Sequence, residues 1–264
     1  MLAAERRGRV LTAVVSRGAV RVTDLAAELG VSEMTIRRDL DQLEAEGELN
    51  KVHGGAVRAD GEVTGRGLEP PSSLKATREP AAKRAIAAEA LRLVEDGMTV
   101  AIGAGTTTLE LARLLRGRDI SVVTNSVSIF ELLTDPADDR LDPSLVQLTG
   151  GQRTPSDALV GPIANAALER YRTDRAFVGT HGIDPEAGFT TPNLGEAETN
   201  RKLLGTARSA VVLADHTKYD EIGAHLFADF DRIDRLVTDS GLPDEHRETL
   251  ADVILITTAE STPQ

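Results

Sequence analysis

Residues 99–109 read TVAIGAGTTTL, and the reading of this stretch sets the fold of most of the chain. A short run of β-branched and small apolar residues ends at Gly103. A second glycine follows at Gly105, then Thr106, Thr107 and Thr108, and then a helical pattern, TTLELARLLRG. Strand, glycine turn, helix is the unit from which parallel sheets are built. The turn is shaped to hold an anion. Its glycines let a ligand approach the backbone, and the threonines offer amides and hydroxyls at the positive end of a helix dipole. It is not a nucleotide-triphosphate loop, because no lysine follows the glycines. It is also a poor dinucleotide fingerprint: Thr108 stands at the third glycine, and the next strand ends in Thr124-Asn125 rather than an acid.

The same alternation continues outward. A helix-like AAKRAIAAEALRLVEDG precedes the strand, and ISVVTN, LVQLTGG, RAFVGT, SAVVLAD, RLVTD and DVILIT follow as further short Val/Ile/Leu strands. The spacing predicts an α/β domain over residues 81–258, a mostly parallel sheet covered on both faces. Small polar residues sit just past several strand ends: Thr124, Asn125 and Ser126; Gly150 and Gly151; Gly179, Thr180 and His181; then Asp215 with Lys218 close behind. In a parallel sheet these ends share one edge, where open α/β folds bind ligands. With Gly103, Gly105 and Thr106–Thr108 they make a candidate site for a phosphate and the hydroxyls of a sugar.

The chain opens differently. Residues 59–80 are rich in Gly, Pro, Ser and charge without periodicity, and are expected to be a linker. Before it, residues 1–58 form a compact block. Val10, Leu11, Val14 and Val15 have helical spacing, AVRV suits a short strand, and Thr23 or Asp24 is expected to cap a short helix ending at Gly30. Ser32 is the expected N-cap of a longer helix, EMTIRRDLDQLEAEG. Two short helices joined through GVS form a helix-turn-helix, and ELNKVHGGAV reads as a β-ribbon wing. With Ile36, Leu40 and Leu43 on the core face, Met34, Thr35 and Arg38 point outward and Arg37 lies on the flank. A groove-reading helix needs this arrangement: arginine for guanine, threonine for a thymine methyl, Ser32 and Arg37 for phosphates. Lys51, His53 and Arg58 on the ribbon are expected to reach a neighbouring phosphate backbone.

Composition bounds the alternatives. The 264 residues carry 41% hydrophobic and 27% charged residues, as an ordinary globular chain does. Aromatics are only 3%, which disfavours single-strand binding by base stacking. The absence of cysteine excludes disulfide scaffolds, thiolate metal sites and cysteine nucleophiles. No metal site and no cofactor are expected, nor a leader or membrane segment; the expected location is the cytoplasm. The net charge is −12, but Arg6–Arg58 holds nine Lys+Arg against eight Asp+Glu and is +1, leaving −13 elsewhere. A locally basic surface on an acidic protein can still take a duplex.

VRVTDLAAELGVSEMTIRRDLDQLEAEGELNKVHGGAV closely resembles the N-terminal domain of the DeoR family of bacterial sugar-metabolism repressors, and SEMTIRRDL followed by VHGGA is specific to it. KRAIAAEAL, GAGTTT, TNS, LTGG, FVGTHGID, GFTTPNLGEAETNRKLL and VLADHTKY resemble that family's sugar-phosphate sensor domain, in the same order. Two departures stand out. Lys51 occupies a position where the family more often has Arg, and Gly103-Ala104 stands where it more often has an acid. The resemblance implies a winged helix-turn-helix domain followed by a sensor domain similar in fold to ribose-5-phosphate isomerase. It further implies a transcriptional repressor of carbohydrate genes, bound to double-stranded operator DNA and modulated by a phosphorylated sugar. Reading two half-sites requires at least a homodimer. The alternative is a sugar-phosphate isomerase with an accessory N-terminal domain. That chemistry needs a carboxylate base, with acids or a lysine to polarise oxygen; the similar isomerases carry a cluster of acids in the stretch corresponding to GTHGID, where only Asp184 is left here, so no catalytic residue is assigned.

Overall fold

The computed structural model describes residues 3–17, 19–46, 48–52, 55–58 and 72–260. The chain divides into two compact units, residues 1–71 and 72–264.

In the first unit, α1 (Ala3–Arg17) leads through β1 (Ala19–Arg21) into α2 (Val22–Leu29) and α3 (Glu33–Ala45). The ribbon β2 (Leu49–Val52) and β3 (Gly55–Arg58) follows, in a three-stranded antiparallel sheet of order β1-β3-β2. Val10, Val14, Leu25, Ile36, Leu40, Leu43 and Leu49 form its buried core, so the apolar stripe read along α3 is the one that packs. The start of α2 differs from the sequence expectation. The helix begins at Val22, and Arg21 holds the N-cap position with no side-chain hydrogen bond. Thr23 and Asp24 fall in the first turn, because Val22 and Leu25 are both drawn into the core. The end is as expected: Gly30 adopts φ 63°, a left-handed cap that favours glycine. Gly47, the expected stop of α3, lies outside the described residues; the C-cap is Glu46.

The second unit begins with α4 (Ser72–Ala76) and α5 (Pro80–Leu91), then alternates: β4 (Thr99–Ile102), α6 (Thr106–Leu115), β5 (Ser121–Thr124), α7 (Val127–Leu133), β6 (Val146–Leu148). A short hairpin, β7 (Gln152–Arg153) and β8 (Leu159–Val160), precedes α8 (Pro162–Leu168) and the long β9 (Thr173–Gly179). Then come β10 (Gly182–Asp184), β11 (Gly188–Thr191), α9 (Leu194–Leu204), β12 (Ala207–Leu213), β13 (His225–Ala228), β14 (Arg235–Asp239), α10 (Asp244–Ala251) and β15 (Ile256–Ala259). Seven strands pair in parallel in the order β15-β14-β12-β9-β4-β5-β6. These are the seven strands expected, with one shift: DVILIT pairs only from Ile256, since α10 and a turn occupy the residues before it. The antiparallel sheet β10-β11-β13 and the hairpin β7-β8 were not anticipated. Nor was the helix α4, inside the stretch read as linker; residues 59–71 of that stretch lie outside the described residues.

Both faces of the parallel sheet are buried, and side chains alternate between them. Val100, Ile102, Phe177, Val211 and Leu213 join a core with Ile86 and Ala90 of α5 and Leu111 of α6. Ala101, Ala176, Val178 and Val212 join the opposite core with Leu168 of α8, Leu203 of α9 and the small sheet's Phe189 and Phe227. The strand order fixes where a ligand can sit. From β4 the chain winds outward to β5 and β6, then returns to the other side of β4 for β9, β12, β14 and β15. The reversal falls between the carboxyl ends of β4 and β9, the position at which open α/β folds bind ligands.

Candidate functional site

The Gly103–Thr108 turn lies at that reversal. Gly103 donates its amide to the carbonyl of Phe177 on β9 at 2.8 Å, which seats the end of β4 against its neighbour. A Cβ on Gly103 would meet Val178 Cγ1 at 3.2 Å, so this glycine serves strand packing rather than ligand approach. Gly105 is extended, at φ 163° and ψ 159°, and precedes α6 without a side-chain cap. The first bond of the helical ladder runs from Leu109 N to Gly105 O, 3.0 Å. The amides of Thr106, Thr107 and Thr108 are therefore the helix's first-turn donors, which an anion can satisfy.

The three threonines divide their work. Thr108 is fully buried, and its hydroxyl donates to Gly103 O at 2.7 Å and lies 3.0 Å from Gly105 O. It braces the turn. The hydroxyls of Thr106 and Thr107 have no protein hydrogen bond among the described residues; Thr107 is buried and Thr106 half-buried. The same division runs along the neighbouring strand ends. Thr124 donates to Ile102 O at 2.6 Å and accepts from Ser126 N at 3.0 Å. Asn125 accepts from Ala104 N at 2.9 Å and donates to Leu159 O at 3.1 Å, tying three loops together. Ser126 caps α7 by accepting from Ile129 N. These three are buried and committed to backbone partners.

Gly150 is half-buried and Gly151 exposed, both at positive φ, 72° and 122°. At Gly151 a side chain would also strike Val160 O at 2.5 Å, so the loop's close path needs glycine there. Gly179, Thr180 and His181 are half-buried at the end of β9. The Thr180 hydroxyl donates into the β10–β11 hairpin, to Gly182 O at 2.8 Å, and His181 N donates to Thr190 O at 3.1 Å. Asp215, buried at the end of β12, caps the short turn at His216–Lys218 by accepting from Thr217 N at 3.1 Å and from the Thr217 hydroxyl.

Beside this edge, near the expected Lys218, lie three cations that escaped the sequence reading: Lys75, Arg78 and Lys83. The carboxyl ends of β4, β9 and β12 are consecutive, and α4 packs on α6. Lys83, on α5, is 4% exposed, and its ammonium donates to the backbone carbonyls of Lys75 and Arg78. Burial lowers the Lys83 pKa below its usual 10.5, the charge of Asp215 pulls it back up, and Lys218 and Arg78 lower it again. Lys218 shows the same pattern: burial lowers its pKa, Asp215 raises it, and Lys75 and Arg78 lower it. Lys83 and Lys218 thus share the field of Asp215, with Arg78 and Lys75 and the carboxylates of Glu79 and Glu221 around them. Cations beside first-turn amides favour an anion. An open groove of about 540 Å³ between α5 and β15 lies on the far edge of the sheet, three strands from β9, and has no part in this cluster.

On the first unit, Ser32 caps α3 by accepting from Thr35 N at 3.2 Å, and its hydroxyl lies 2.9 Å from that of Thr35. Met34 is 56% exposed, Thr35 half-buried, and Arg37 and Arg38 exposed. Arg37 is paired along the helix with Glu33 at 2.9 Å, whereas Arg38 has no side-chain partner among the described residues. Lys51, expected to face a phosphate, places its ammonium against Asp41, and its amide donates to Glu44 Oε1 at 2.8 Å. Both contacts hold the ribbon to α3. His53 lies outside the described residues, and Arg58 is placed by its backbone at the end of β3.

Comparison with known proteins agrees with both halves. A family model of the DeoR-like helix-turn-helix domain matches residues 6–62, and one of the DeoR C-terminal sensor domain matches residues 78–240. The HTH-type transcriptional regulator GlpR of Haloferax volcanii is 37% identical over 252 residues, covering 95% of each chain. The lactose phosphotransferase system repressor of Staphylococcus aureus is 34% identical over 233 residues, 88% of this chain and 89% of that one. Among solved structures, ribose 5-phosphate isomerase A of Methanocaldococcus jannaschii aligns over 54% of this chain and 55% of its own, at 22% identity and a TM-score of 0.37. With one family model spanning the sensor and another the helix-turn-helix, the chain belongs to the DeoR family of transcriptional regulators.

Proposed function

We propose that this chain represses carbohydrate-metabolism genes and that a phosphorylated sugar sets its affinity for double-stranded operator DNA. The observation that carries the effector half is the set of first-turn amides of α6 at the sheet reversal, with the cations Lys83 and Lys218 in the field of Asp215 on the same edge. Such a place favours a phosphate over a neutral sugar. The backbone at Gly150, Gly151 and Gly179 and the hydroxyls of Thr106 and Thr107 are the groups left for the ligand's remaining oxygens. Thr108, Thr124, Asn125, Ser126, Thr180 and Asp215 act as positioning residues, since their side chains are spent on the loops.

For DNA, α3 presents Met34 and Arg38 outward while Ile36, Leu40 and Leu43 fix it to the core. Arg38 is the base-reading candidate, because its guanidinium is free to meet guanine acceptors. Coupling follows from linkage: a ligand that prefers the arrangement less suited to DNA lowers DNA affinity by its differential affinity. The relatives named as repressors support the repressor reading. The reading places the protein in the cytoplasm as a homodimer or larger assembly, with no cofactor and no turnover. The last point rests on Asp184, whose carboxylate accepts from Glu186 N and Ala187 N and is thereby held in its own turn.

The test is a melting screen of phosphorylated sugars against their unphosphorylated counterparts. A ligand that binds only the folded protein at a hundred times its Kd stabilises by about 2.7 kcal/mol. The proposal expects a shift with at least one phosphorylated sugar and none with its neutral twin. Equal shifts for both would refute it.

A further inference from the structure

Helix α3 buries four side chains, Ile36, Asp39, Leu40 and Leu43, and one of them is a carboxylate. Their spacing is the inward stripe of a helix, so Asp39 holds a place that the pattern ordinarily gives to an apolar residue. Its partner departs from the pattern in the same way. Arg6 stands on α1 four and seven residues before Val10 and Ala13, both in the core of the first unit. The guanidinium grips the carboxylate at two points, Nε donating to Oδ2 at 2.5 Å and Nη2 to Oδ1 at 3.1 Å. Only 15% of the Arg6 side chain and 6% of the Asp39 side chain are exposed.

Stability alone does not account for such a pair. Taking both charges out of water offsets much of their attraction, and apolar side chains in the same place often serve as well or better. The pair adds geometry instead. Apolar side chains tolerate small rotations of a helix in its seat, whereas a two-point fork on a carboxylate fixes both distance and angle. Asp39 directly follows the exposed Arg38, so one turn of α3 carries the fork on its buried side and a free guanidinium on its open side. At a helix's outer radius of about 5–6 Å, a rotation of about 10° moves a group by roughly 1 Å. That is enough to spoil a bidentate contact with a base edge. We propose that Arg6 and Asp39 are positioning residues for DNA recognition: the pair sets the rotation of α3 and so the aim of the side chains that read the groove. This rests on α3 being the groove-reading helix of the first unit.

Band shifts with the full-length protein test this, using a duplex that the unaltered protein selects from random sequence and a scrambled duplex of the same composition. Arg6→Met combined with Asp39→Leu replaces the pair by apolar side chains and leaves the net charge unchanged. Its urea midpoint is expected to equal or exceed the parent's. The ratio of scrambled to selected Kd should fall about tenfold, the size of one lost base contact. Affinity for the scrambled duplex, carried by phosphate contacts, should stay within about twofold of the parent's. Arg6→Lys keeps the charge and loses the fork, so it should fold and still lose part of the discrimination; it decides the question if the double variant does not fold. A folded variant of either kind that discriminates as well as the parent would overturn the proposal. So would an equal loss of binding to both duplexes, for that is a loss of folded protein and not of aim. Arg38→Ala keeps the base-reading assignment separate: if that change alone leaves the ratio untouched, Arg38 is not the reader, and the pair is still judged by its own two variants.

Discussion

Thr108→Val and Thr106→Val should have opposite consequences, although the residues are two apart in one turn of helix. Thr108 is fully buried, and its hydroxyl donates to Gly103 O at 2.7 Å. Valine preserves the shape, removes the donor and leaves a carbonyl in the interior. Orphaning a buried polar group costs about 1–3 kcal/mol, so Thr108→Val should lose that much stability. Phosphate affinity should fall as well, because the turn that presents the amides is loosened. Thr106 has no protein partner for its hydroxyl among the described residues, so Thr106→Val should stay within about 0.5 kcal/mol of the parent in stability. A hydrogen bond to a charged ligand contributes roughly 1.5–3 kcal/mol, so its loss should weaken phosphate binding about ten- to a hundredfold. Urea unfolding and calorimetric titration of each variant separate the two effects. Thr106→Val binding as tightly as the parent, or Thr108→Val as stable as the parent, would refute this division of labour.

Three further outcomes follow from the geometry. Arg38→Ala should weaken specific operator binding by about 1–3 kcal/mol in band shifts, with effector binding intact, and an unchanged operator preference would count against base reading by Arg38. Glu33→Gln removes a carboxylate from the groove-facing end of α3 and releases Arg37 from its pair, so DNA affinity should rise and the salt dependence steepen by about one ion; no change in the salt slope would show Arg37 away from the phosphates. The lowered pKa values of Lys83 and Lys218 give a pH signature of two opposite signs. Between those lowered values and the 10.5 of an unfolded lysine, the unfolded chain binds more protons, so stability from these groups rises with pH, is complete above 10.5 and is lost as pH falls through the folded values. Phosphate affinity runs the other way, declining as the ammonium groups discharge, and calorimetry from pH 8 upward that shows constant affinity would remove them from the site.

The seven parallel strands were legible because each is a short Val/Ile-rich run bounded by turn residues. The small antiparallel sheet was not. GID, GFTT and HLFA are three or four residues long, too short for an alternation to show, and the first two carry glycine or threonine in place of large apolar residues. Helix α4, SSLKA, has too few residues for a period to show. At the site, the positions could be read but their partners could not. Thr106 and Thr108 look alike in sequence, and only the path of the turn decides which hydroxyl faces Gly103 O. Lys75 and Arg78 were hidden in the composition of a linker. Lys83 did leave a signal, a charge on the same stripe as Ile86, Ala87 and Ala90, which marks a lysine with a buried task.

The most direct measurement is an operator titration by the full-length protein, with and without a phosphorylated sugar that calorimetry has shown to bind. A coupling of about 1–3 kcal/mol should move the operator Kd roughly 5- to 150-fold, and the neutral sugar should leave it unchanged. An operator Kd that stays fixed while the site is saturated would contradict the account.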